Sequence, residues 1–315
     1  MTQRRLFRRA GGLVLLTVFA LVLFFQGRKA MDWRGCLDNL PPQPALVIQP
    51  KDPGRVRFVA LGDQGMGNAA QAQVARAAQQ VCAREGCDFL VLLGDNFYPA
   101  GVADVNDPQF QSAFESLYGS LGVPAAAIVG NHDVRKNAAA QVRYSSHSAT
   151  WRMPAFQYAF SVGPARFMAR NSNCALVELA GLSQALNTYS AESPTPWVFA
   201  LRHHALYSTG EHGDESWPLR AYWERFLAGR VDFLLSGHNH ILEHLQRPGD
   251  RSDYVVSGAG GDPSPVDARR KISAAESRHA TFGPGLTWFD VTWTKVTMRF
   301  IGADGAVLYE YTRTH

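Results

Sequence analysis

The chain lacks several features that mark common protein classes. It has no internal repeat and no low-complexity tract, which argues against a solenoid and against a disordered scaffold. Its main part also lacks an excess of basic charge: residues 1–30 hold six of the 31 Arg and Lys and no acid, which leaves 25 basic against 27 acidic residues. Nucleic acid is therefore not expected as a binding partner. With 46% hydrophobic and 18% charged residues, 315 residues suffice for one large globular domain.

Residues 1–30 have the charge pattern of a targeting or anchoring segment. Four Arg precede the uncharged apolar run 11–25, as in an export signal. The run is short for a membrane span of about 20 residues, yet no convincing small-x-small cleavage site follows it. An uncleaved signal-anchor is therefore expected, with a cleaved signal peptide as the alternative. The folded part would then lie on the extracytoplasmic side, tethered to the membrane or secreted.

Cysteine is scarce, and the four are Cys36, Cys82, Cys87 and Cys174. An even number in an exported chain permits two disulfides, Cys82–Cys87 and Cys36–Cys174, with four separate buried thiols as the alternative. Residues 31–54 contain five prolines and little periodicity, which predicts a linker. The folded domain is therefore expected to occupy residues 55–315.

Within this domain, apolar strand-like runs alternate with helix-like stretches. Strands are predicted at 56–61, 89–93, 125–129, 158–162, 165–169, 175–179, 197–201, 231–235 and 254–257, and helices at 69–83, 108–119 and 219–227. Residues 288–300 and 306–311 read as an antiparallel β tail. The alternation predicts an α/β fold with a largely parallel centre, and the tail predicts mixed sheets.

Five of the apolar runs are followed directly by polar side chains that can bind a metal. These segments are Gly62-Asp63-Gln64-Gly65, Gly94-Asp95-Asn96-Phe97-Tyr98, Gly130-Asn131-His132-Asp133, Arg202-His203-His204 and Gly237-His238-Asn239-His240. Ligands of open α/β sheets bind beyond the carboxyl ends of the strands, so these side chains are expected to converge. One such segment alone would be ordinary turn chemistry, but five in this context make coincidence a poor explanation.

The types of side chain indicate which metals are bound. None of the five segments contains cysteine, which excludes a thiolate zinc site and favours Fe, Mn or Zn. A tyrosine has an ordinary pKa of about 10, so Tyr98 would lose its proton near neutral pH only beside a strongly polarising cation. Tyr98 therefore indicates a trivalent ion such as Fe(III).

These ordered segments resemble those of the purple acid phosphatases, most closely the small, tartrate-resistant type, within the calcineurin-like metallophosphoesterases. The stretch 93–102 (LGDNFYPAGV) and the segment Glu211-His212-Gly213 are typical of the small type. The resemblance spans roughly residues 55–262. It implies a four-layer α/β/β/α sandwich with two mixed sheets, and an enzyme that hydrolyses phosphate monoesters with a metal-bound hydroxide at a binuclear site.

The resemblance also implies a role for each matching residue. Asp63, Asp95, Tyr98 and His240 would bind Fe(III), and Asp95, Asn131, His203 and His238 would bind a divalent Fe, Zn or Mn, with Asp95 shared. Asn131, His132 and His212 would contact the substrate phosphate. His132 and His212 would also assist the leaving group as the catalytic histidines.

The chain departs from the family pattern at the fourth segment. The family usually has Gly-His where this chain has Arg202-His203, and an aromatic residue is common where His204 stands. Either histidine is therefore a candidate ligand, and the spacing to Glu211-His212-Gly213 favours His203. Residues 170–196 are short where the small type often has a long helical insert, so the substrate rim is expected to differ.

Two other functions remain open at this stage. One is a metallophosphodiesterase acting on nucleotide or lipid head-group diesters, and the other is a non-catalytic, membrane-tethered phosphate- or metal-binding protein. Tyr98 favours the monoesterase, since most diesterases of the superfamily carry another residue there. The complete ligand set argues against a non-catalytic protein. No sequence feature indicates an oligomeric state.

Overall fold

A computed structural model describes residues 40, 43, 46–174, 195–227, 230–261 and 271–315. The strands are, in chain order, β1 (Arg55–Leu61), β2 (Phe89–Leu92), β3 (Ala125–Ala127), β4 (Trp151–Arg152), β5 (Tyr158–Val162), β6 (Ala165–Ala169), β7 (Trp197–Leu201), β8 (Phe233–Ser236), β9 (Leu242–Gln246), β10 (Asp253–Ser257), β11 (Glu276–Thr281), β12 (Gly285–Thr292), β13 (Lys295–Gly302) and β14 (Val307–Thr314). The α-helices are α1 (Ala69–Glu85), α2 (Ser116–Tyr118), α3 (Ala138–Tyr144) and α4 (Trp217–Leu227).

The described strands form two mixed sheets. One has the order β14-β13-β12-β1-β2-β3-β4 and the other has the order β11-β9-β10-β8-β7-β6-β5. β1, β2, β3 and β4 are parallel, as are β6, β7, β8 and β10. The carboxyl ends of the parallel strands in each sheet therefore lie at a common edge. The predicted α/β sandwich of two mixed sheets is confirmed.

Aromatic side chains fill the space between the sheets. The ring of Phe58 on β1 stacks on Phe89 and Phe289 of its own sheet, with centroids 5.1 and 4.7 Å away. The edges of Phe167 and Phe199 from the other sheet meet the same ring at 5.2 and 5.5 Å. Each fully buried Phe stabilises the fold by about 1.5–3 kcal/mol relative to exposure. This core fixes the two sheets against each other and hence the loops at their ends.

Helices cover the outer faces of both sheets. α1 places Val74, Ala78 and Val81 in a core cluster against the first sheet, and Trp223 of α4 lies in the cluster behind the second. The side chain of Asn68 caps α1 by accepting from the backbone N of Gln71 at 2.8 Å. The predicted helix at 108–119 differs from expectation, since it begins as a π-helical turn, Phe110–Glu115, and ends as a 3-10 turn, Gly119–Leu121.

The cysteine prediction is confirmed for one pair. Cys82 in α1 is bonded to Cys87 before β2, and Cys174 is also disulfide-bonded. Cys36, the predicted strand 175–179 and the proposed anchor in residues 1–30 lie outside the described residues. Among the described helices, none has the length and apolar character that a membrane crossing requires. The last residues before β1 are packed on the domain, since Leu46 and Ile48 are buried between the sheets.

Candidate metal centre

The loops that follow β1, β2, β3, β7 and β8 meet at one edge of the sandwich. Backbone hydrogen bonds join the loops directly: the N–H of Asp63 donates to Gly94 O at 2.9 Å, and the N–H of Gly237 donates to His203 O at 3.0 Å. The N–H of Gly62, just after β1, donates to Ser257 O at the end of β10 at 2.7 Å, so both sheets contribute to a single site. This is the convergence that the strand-end motifs predict.

A first group of donor atoms surrounds the Tyr98 hydroxyl. This oxygen lies 3.3 Å from Asp63 Oδ1, 3.1 Å from Asp95 Oδ2 and 3.4 Å from His240 Nε2. His240 Nε2 is in turn 3.5 Å from Asp63 Oδ1. The four residues expected to bind the trivalent ion are therefore brought together.

A second group of donor atoms lies on the other side of Asp95. His203 Nε2 is 3.0 Å from Asn131 Oδ1 and 3.5 Å from Asp95 Oδ2. Donor atoms of Asp63, Asp95 and His203 all lie within 4.8 Å of one another, and the three residues are buried. The ring of His238 has its centroid 5.1 Å from that of His203. Asp95 Oδ2 is the oxygen common to both groups.

Each carboxylate uses one oxygen for the protein and presents the other to the site. Asp63 Oδ2 accepts from the backbone N of His238 at 2.8 Å, and Asp95 Oδ1 accepts from the backbone N of His132 at 2.7 Å. The remaining oxygens, Asp63 Oδ1 and Asp95 Oδ2, face Tyr98 and the histidines. The orientation of both carboxylates is therefore set by backbone amides.

Three residues of the centre have unusual backbone conformations. Asp63, Asp95 and His238 have φ angles of 58°, 52° and 67°, and they are the only non-glycine residues with positive φ in the described part of the chain. This conformation costs on the order of 1–2 kcal/mol per residue and persists only where the surroundings hold it. Sequence analysis missed this feature, although a glycine precedes each of the three.

Two glycines are required by close approach to the carboxylates. A Cβ on Gly130 would lie 2.1 Å from Asp95 Oδ1 and 2.2 Å from Asp95 N. A Cβ on Gly237 would lie 2.5 Å from Asp63 Oδ2. The absence of a side chain at these positions therefore allows the loops to enclose the carboxylates.

The charges of the site favour a bound cation. Burial and the carboxylates of Asp63 and Asp95 raise the pKa of Tyr98 far above its usual value. Burial alone would lower the pKa of His203, but Asp95 and Asp63 outweigh it, and the pKa is raised. Two buried carboxylates thus face each other in an environment that draws positive charge. Oxygen and imidazole donors in this arrangement fit hard-to-borderline metal ions.

The two histidines predicted to contact the substrate are far apart in the sequence, but both lie beside the metal centre. His132 Nδ1 is 2.7 Å from Pro99 O, and its Nε2 is 4.0 Å from Asp95 Oδ2. The backbone N of His212 donates to Asn239 Oδ1 at 2.9 Å, and its ring stacks on His238 with centroids 4.2 Å apart. Burial, the largest influence, lowers the pKa of His212.

The sequence model of the calcineurin-like phosphoesterases matches residues 56–242, more than half of the chain. The chain belongs to this family. Tartrate-resistant acid phosphatase type 5 from Rattus norvegicus is 29% identical over 305 residues, covering 81% of this chain and 89% of that protein. Purple acid phosphatase 3 from Arabidopsis thaliana is 26% identical over 295 residues, covering 85% and 81%. The resemblance to tartrate-resistant and purple acid phosphatases is therefore confirmed.

Solved structures agree with the fold of this phosphoesterase. GAP50, described as the anchor in the inner membrane complex of Plasmodium, superimposes with a TM-score of 0.71 at 20% identity, covering 82% of this chain and 89% of that one. Purple acid phosphatase PPD1 from yellow lupin gives a TM-score of 0.63 at 17% identity, covering 84% and 55%. At these identities the likeness shows the shared fold alone.

His203 and His204 occupy different positions in the phosphoesterase. His203 Nδ1 is 2.8 Å from Leu93 O, and because a carbonyl only accepts, Nδ1 donates to it. Nε2 then lies beside Asp95 Oδ2 and Asn131 Oδ1, where it could bind the same metal ion as these oxygens. His204 instead has its Nδ1 2.8 Å from Ser172 Oγ. The geometry therefore places His203, and not His204, among the donor atoms.

Arg202 replaces the usual glycine without disturbing this arrangement. Its side chain is fully buried, with Nη2 3.3 Å from Glu215 Oε2 and the guanidinium 5.0 Å from the centre of the Trp223 ring. The Trp223 ring that it contacts belongs to the core cluster behind the second sheet. A cation–π contact and an ion pair thus accommodate a charge where the family has no side chain.

A buried polar network beneath the centre was not predicted as functional. Asp133 accepts from the backbone N of Gly130 at 2.7 Å and of Asn96 at 3.0 Å. The side chain of Asn96 also donates to Ile128 O at 2.8 Å and accepts from Gln64 at 2.9 Å. The network joins the loops after β1, β2 and β3. The signal was present, because Asp133 and Asn96 lie inside the strand-end motifs.

Proposed function

We propose that this phosphoesterase hydrolyses phosphate monoesters at a binuclear centre that holds Fe(III) beside Tyr98 and a divalent Fe, Zn or Mn beside His203. The observation that carries the proposal is the Tyr98 hydroxyl, which lies within 3.4 Å of three other donor atoms. A phenol surrounded by carboxylates resists deprotonation, so its presence among the donors calls for a strongly polarising ion. The relatives named as acid phosphatases support the same activity.

The ligand assignment follows the two groups of donor atoms. Asp63, Tyr98 and His240 would hold the trivalent ion, Asn131, His203 and His238 would hold the divalent ion, and Asp95 would bridge them. When bound, the metal pair supplies the activation of water and the neutralisation of charge on the phosphate oxygens. The chain's own residues orient the ester and handle its protons.

Three side chains at the rim would bind and protonate the substrate. Asn131 and His132 lie in the loop after β3, and His212 approaches from the loop after β7. With Nδ1 donating to Pro99 O, His132 in its doubly protonated form can donate from Nε2 to a phosphate oxygen. His212 is half exposed, and in its protonated form it could donate a proton to the departing alkoxide.

Export belongs to the same proposal. The basic and apolar pattern of residues 1–30 supports a signal-anchor that leaves the domain 55–315 on the extracytoplasmic side, with residues 31–54 as the connection. The Cys82–Cys87 disulfide supports an oxidising compartment. A cleaved signal peptide would give the same domain as a secreted enzyme. Protease protection of intact cells and N-terminal sequencing of the purified protein distinguish these outcomes.

Metal analysis combined with a visible spectrum tests the metal assignment. We expect two ions per chain and a Tyr98-to-Fe(III) charge-transfer band that disappears in Tyr98→Phe. Tyr158→Phe is the matched control, because Tyr158 is a partly buried tyrosine whose hydroxyl donates to Ala127 O at 2.8 Å outside the centre. A colourless active enzyme that contains only Zn or Mn would refute the Fe(III) assignment and leave phosphoester hydrolysis standing.

Substrate preference tests the activity itself. The metal-loaded protein should hydrolyse p-nitrophenyl phosphate with a higher kcat/KM than bis(p-nitrophenyl) phosphate. A clear preference for the diester would make the protein a diesterase. The absence of hydrolysis of either ester over a wide pH range would instead indicate a phosphate- or metal-binding protein without catalysis.

A further inference from the structure

The backbone conformation of His238 is well defined, but it does not by itself determine the direction of the imidazole ring. The residue has a positive φ of 67°, and its N–H donates to Asp63 Oδ2 at 2.8 Å. The imidazole can still rotate about its two side-chain torsions. Because a metal ligand must present one ring nitrogen in a defined direction, contacts beyond the backbone have to select the rotamer.

Two other imidazoles flank that of His238. The ring centroid of His204 lies 4.4 Å from that of His238 with the planes tilted by 52°, and the ring of His212 lies 4.2 Å away at 23°. His204 also meets the ring of His203 at 5.1 Å, edge to face. His204 therefore touches both imidazoles that are proposed to bind the divalent ion.

The position of His204 is itself set by a buried hydroxyl. Ser172 Oγ lies 3.0 Å from the backbone N of His204 and 2.8 Å from its Nδ1. Since the hydroxyl accepts from the backbone N–H, its own hydrogen can donate to Nδ1. Ser172 is buried, with 8% of its surface exposed. Its hydroxyl oxygen thus holds both the backbone and the ring of His204.

The segment around Ser172 is tied to the same edge of the sandwich. The side chain of Asn173 contacts Val129 O at 3.3 Å and Asn171 Oδ1 at 3.0 Å. Val129 immediately precedes Gly130 and Asn131. The support behind His204 is therefore connected to the loop that carries another proposed ligand of the divalent ion.

We propose that His204 is a positioning residue that holds the ring of His238, through packing and through its bond to Ser172, in the orientation that binds the divalent ion. The inference rests on the proposed binuclear centre. His204 acts on His238 by ring contact, and the bond from its backbone N–H to Ser172 Oγ does not depend on the side chain, so an aromatic residue of similar shape can replace it. His204 contacts the rings of His203 and His238, which are both proposed to hold the divalent ion. Loss of its ring should therefore affect that ion more than the ion beside Tyr98.

Three variants test the role with metal alone as the probe. In His204→Ala, the Kd for Zn²⁺ in the divalent position should rise on the order of 10- to 100-fold, measured by competition with a chelator, while the Tyr98 charge-transfer band is retained. His204→Phe keeps the ring and should restore affinity to within about threefold of the wild type. Ser172→Ala loosens the ring and should give an intermediate Kd. His147→Ala, at an exposed histidine outside the centre, should leave the Kd unchanged.

The outcomes separate this inference from the proposed function. An unchanged Zn²⁺ Kd in His204→Ala, or equal losses of both ions, would overturn the positioning role. If His204→Ala does not fold, Ser172→Ala decides, because a raised Kd supports the role and an unchanged one rejects it. If the wild-type protein does not bind two ions, the proposed binuclear centre is wrong. If it binds two ions but hydrolyses no ester, the proposed activity is wrong, and the metal-binding test of His204 still holds.

Discussion

Replacing Gly130 by alanine should disable the centre by displacing Asp95. The new Cβ would lie 2.1 Å from Asp95 Oδ1 and 2.2 Å from Asp95 N, and real Cβ atoms essentially never approach closer than 3.0 Å. The contact must therefore lengthen by at least 0.9 Å. The carboxylate cannot rotate away freely, because Oδ1 accepts from His132 N at 2.7 Å, and the clash with Asp95 N involves the backbone.

The size of the effect follows from this displacement. Misplacement of a reacting group by about 1 Å costs on the order of 100-fold in rate, and Asp95 is the proposed bridge between the two ions. We expect kcat/KM for p-nitrophenyl phosphate to fall at least 100-fold in Gly130→Ala. The metal content should fall with it, because both groups of donor atoms include Asp95 Oδ2. Steady-state kinetics and metal analysis on the same preparations measure the two quantities.

A matched glycine separates this clash from general strain. Gly122 has a φ of +64°, and a Cβ there would meet nothing within 4 Å. Gly122→Ala should lower the free energy of unfolding by about 1–2 kcal/mol through its backbone conformation and leave kcat/KM unchanged. If Gly130→Ala keeps wild-type kcat/KM and two bound ions, the close enclosure of Asp95 by the loop after β3 is not required for function.

Three further predictions concern pH, the disulfide and the metals. Burial lowers the pKa of His212 from 6.5. If His212 donates a proton to the leaving group, kcat should fall as the pH rises through a value below 6.5, and this fall should be absent in His212→Asn. An unchanged pH profile of kcat in the variant contradicts the role. The double variant Cys82→Ala/Cys87→Ala should lose about 2 kcal/mol of unfolding free energy, estimated for a six-residue loop, with kcat retained; equal urea midpoints would contradict this. Removal of metal by a chelator should lower Tm, because the negative charges of Asp63 and Asp95 are then uncompensated. A divalent ion at 100 times its Kd should restore about 2.7 kcal/mol of unfolding free energy. A Tm that does not change with metal would argue against the centre.

The strand-end pattern was sufficient to predict the parallel parts of the fold. The last four residues of β1, 58–61, and all of β2 are buried on both faces and read as continuous apolar runs, which is typical of central parallel strands. The polar residue after each run then lies at the shared edge. The pairing of β1 with β12 could not be predicted in the same way, because Phe58 is opposite Phe289, more than 200 residues further along the chain. No local pattern encodes such a partner.

The choice between two neighbouring histidines shows another limit of the sequence. The spacing to residues 211–213 favours His203 over His204 as the ligand. The orientation of each ring, however, depends on a hydrogen-bond partner, which is Leu93 O for His203 and Ser172 Oγ for His204. Both partner atoms belong to distant segments of the chain. The arginine at position 202 is likewise accommodated by Glu215 and Trp223, which contact its guanidinium. Tertiary partners therefore determined what the motif itself left open.

The same local structure recurs at three of the strand ends and helps to hold the donor atoms of the centre in place. A glycine precedes each of Asp63, Asp95 and His238, and each of these residues has positive φ. Their combined strain, on the order of 3–6 kcal/mol, is offset in part by amides that bond one oxygen of each carboxylate. These amides belong to His238 and His132, so each carboxylate is oriented by a neighbouring loop of the site itself. Loss of one loop conformation should therefore release both donor groups together.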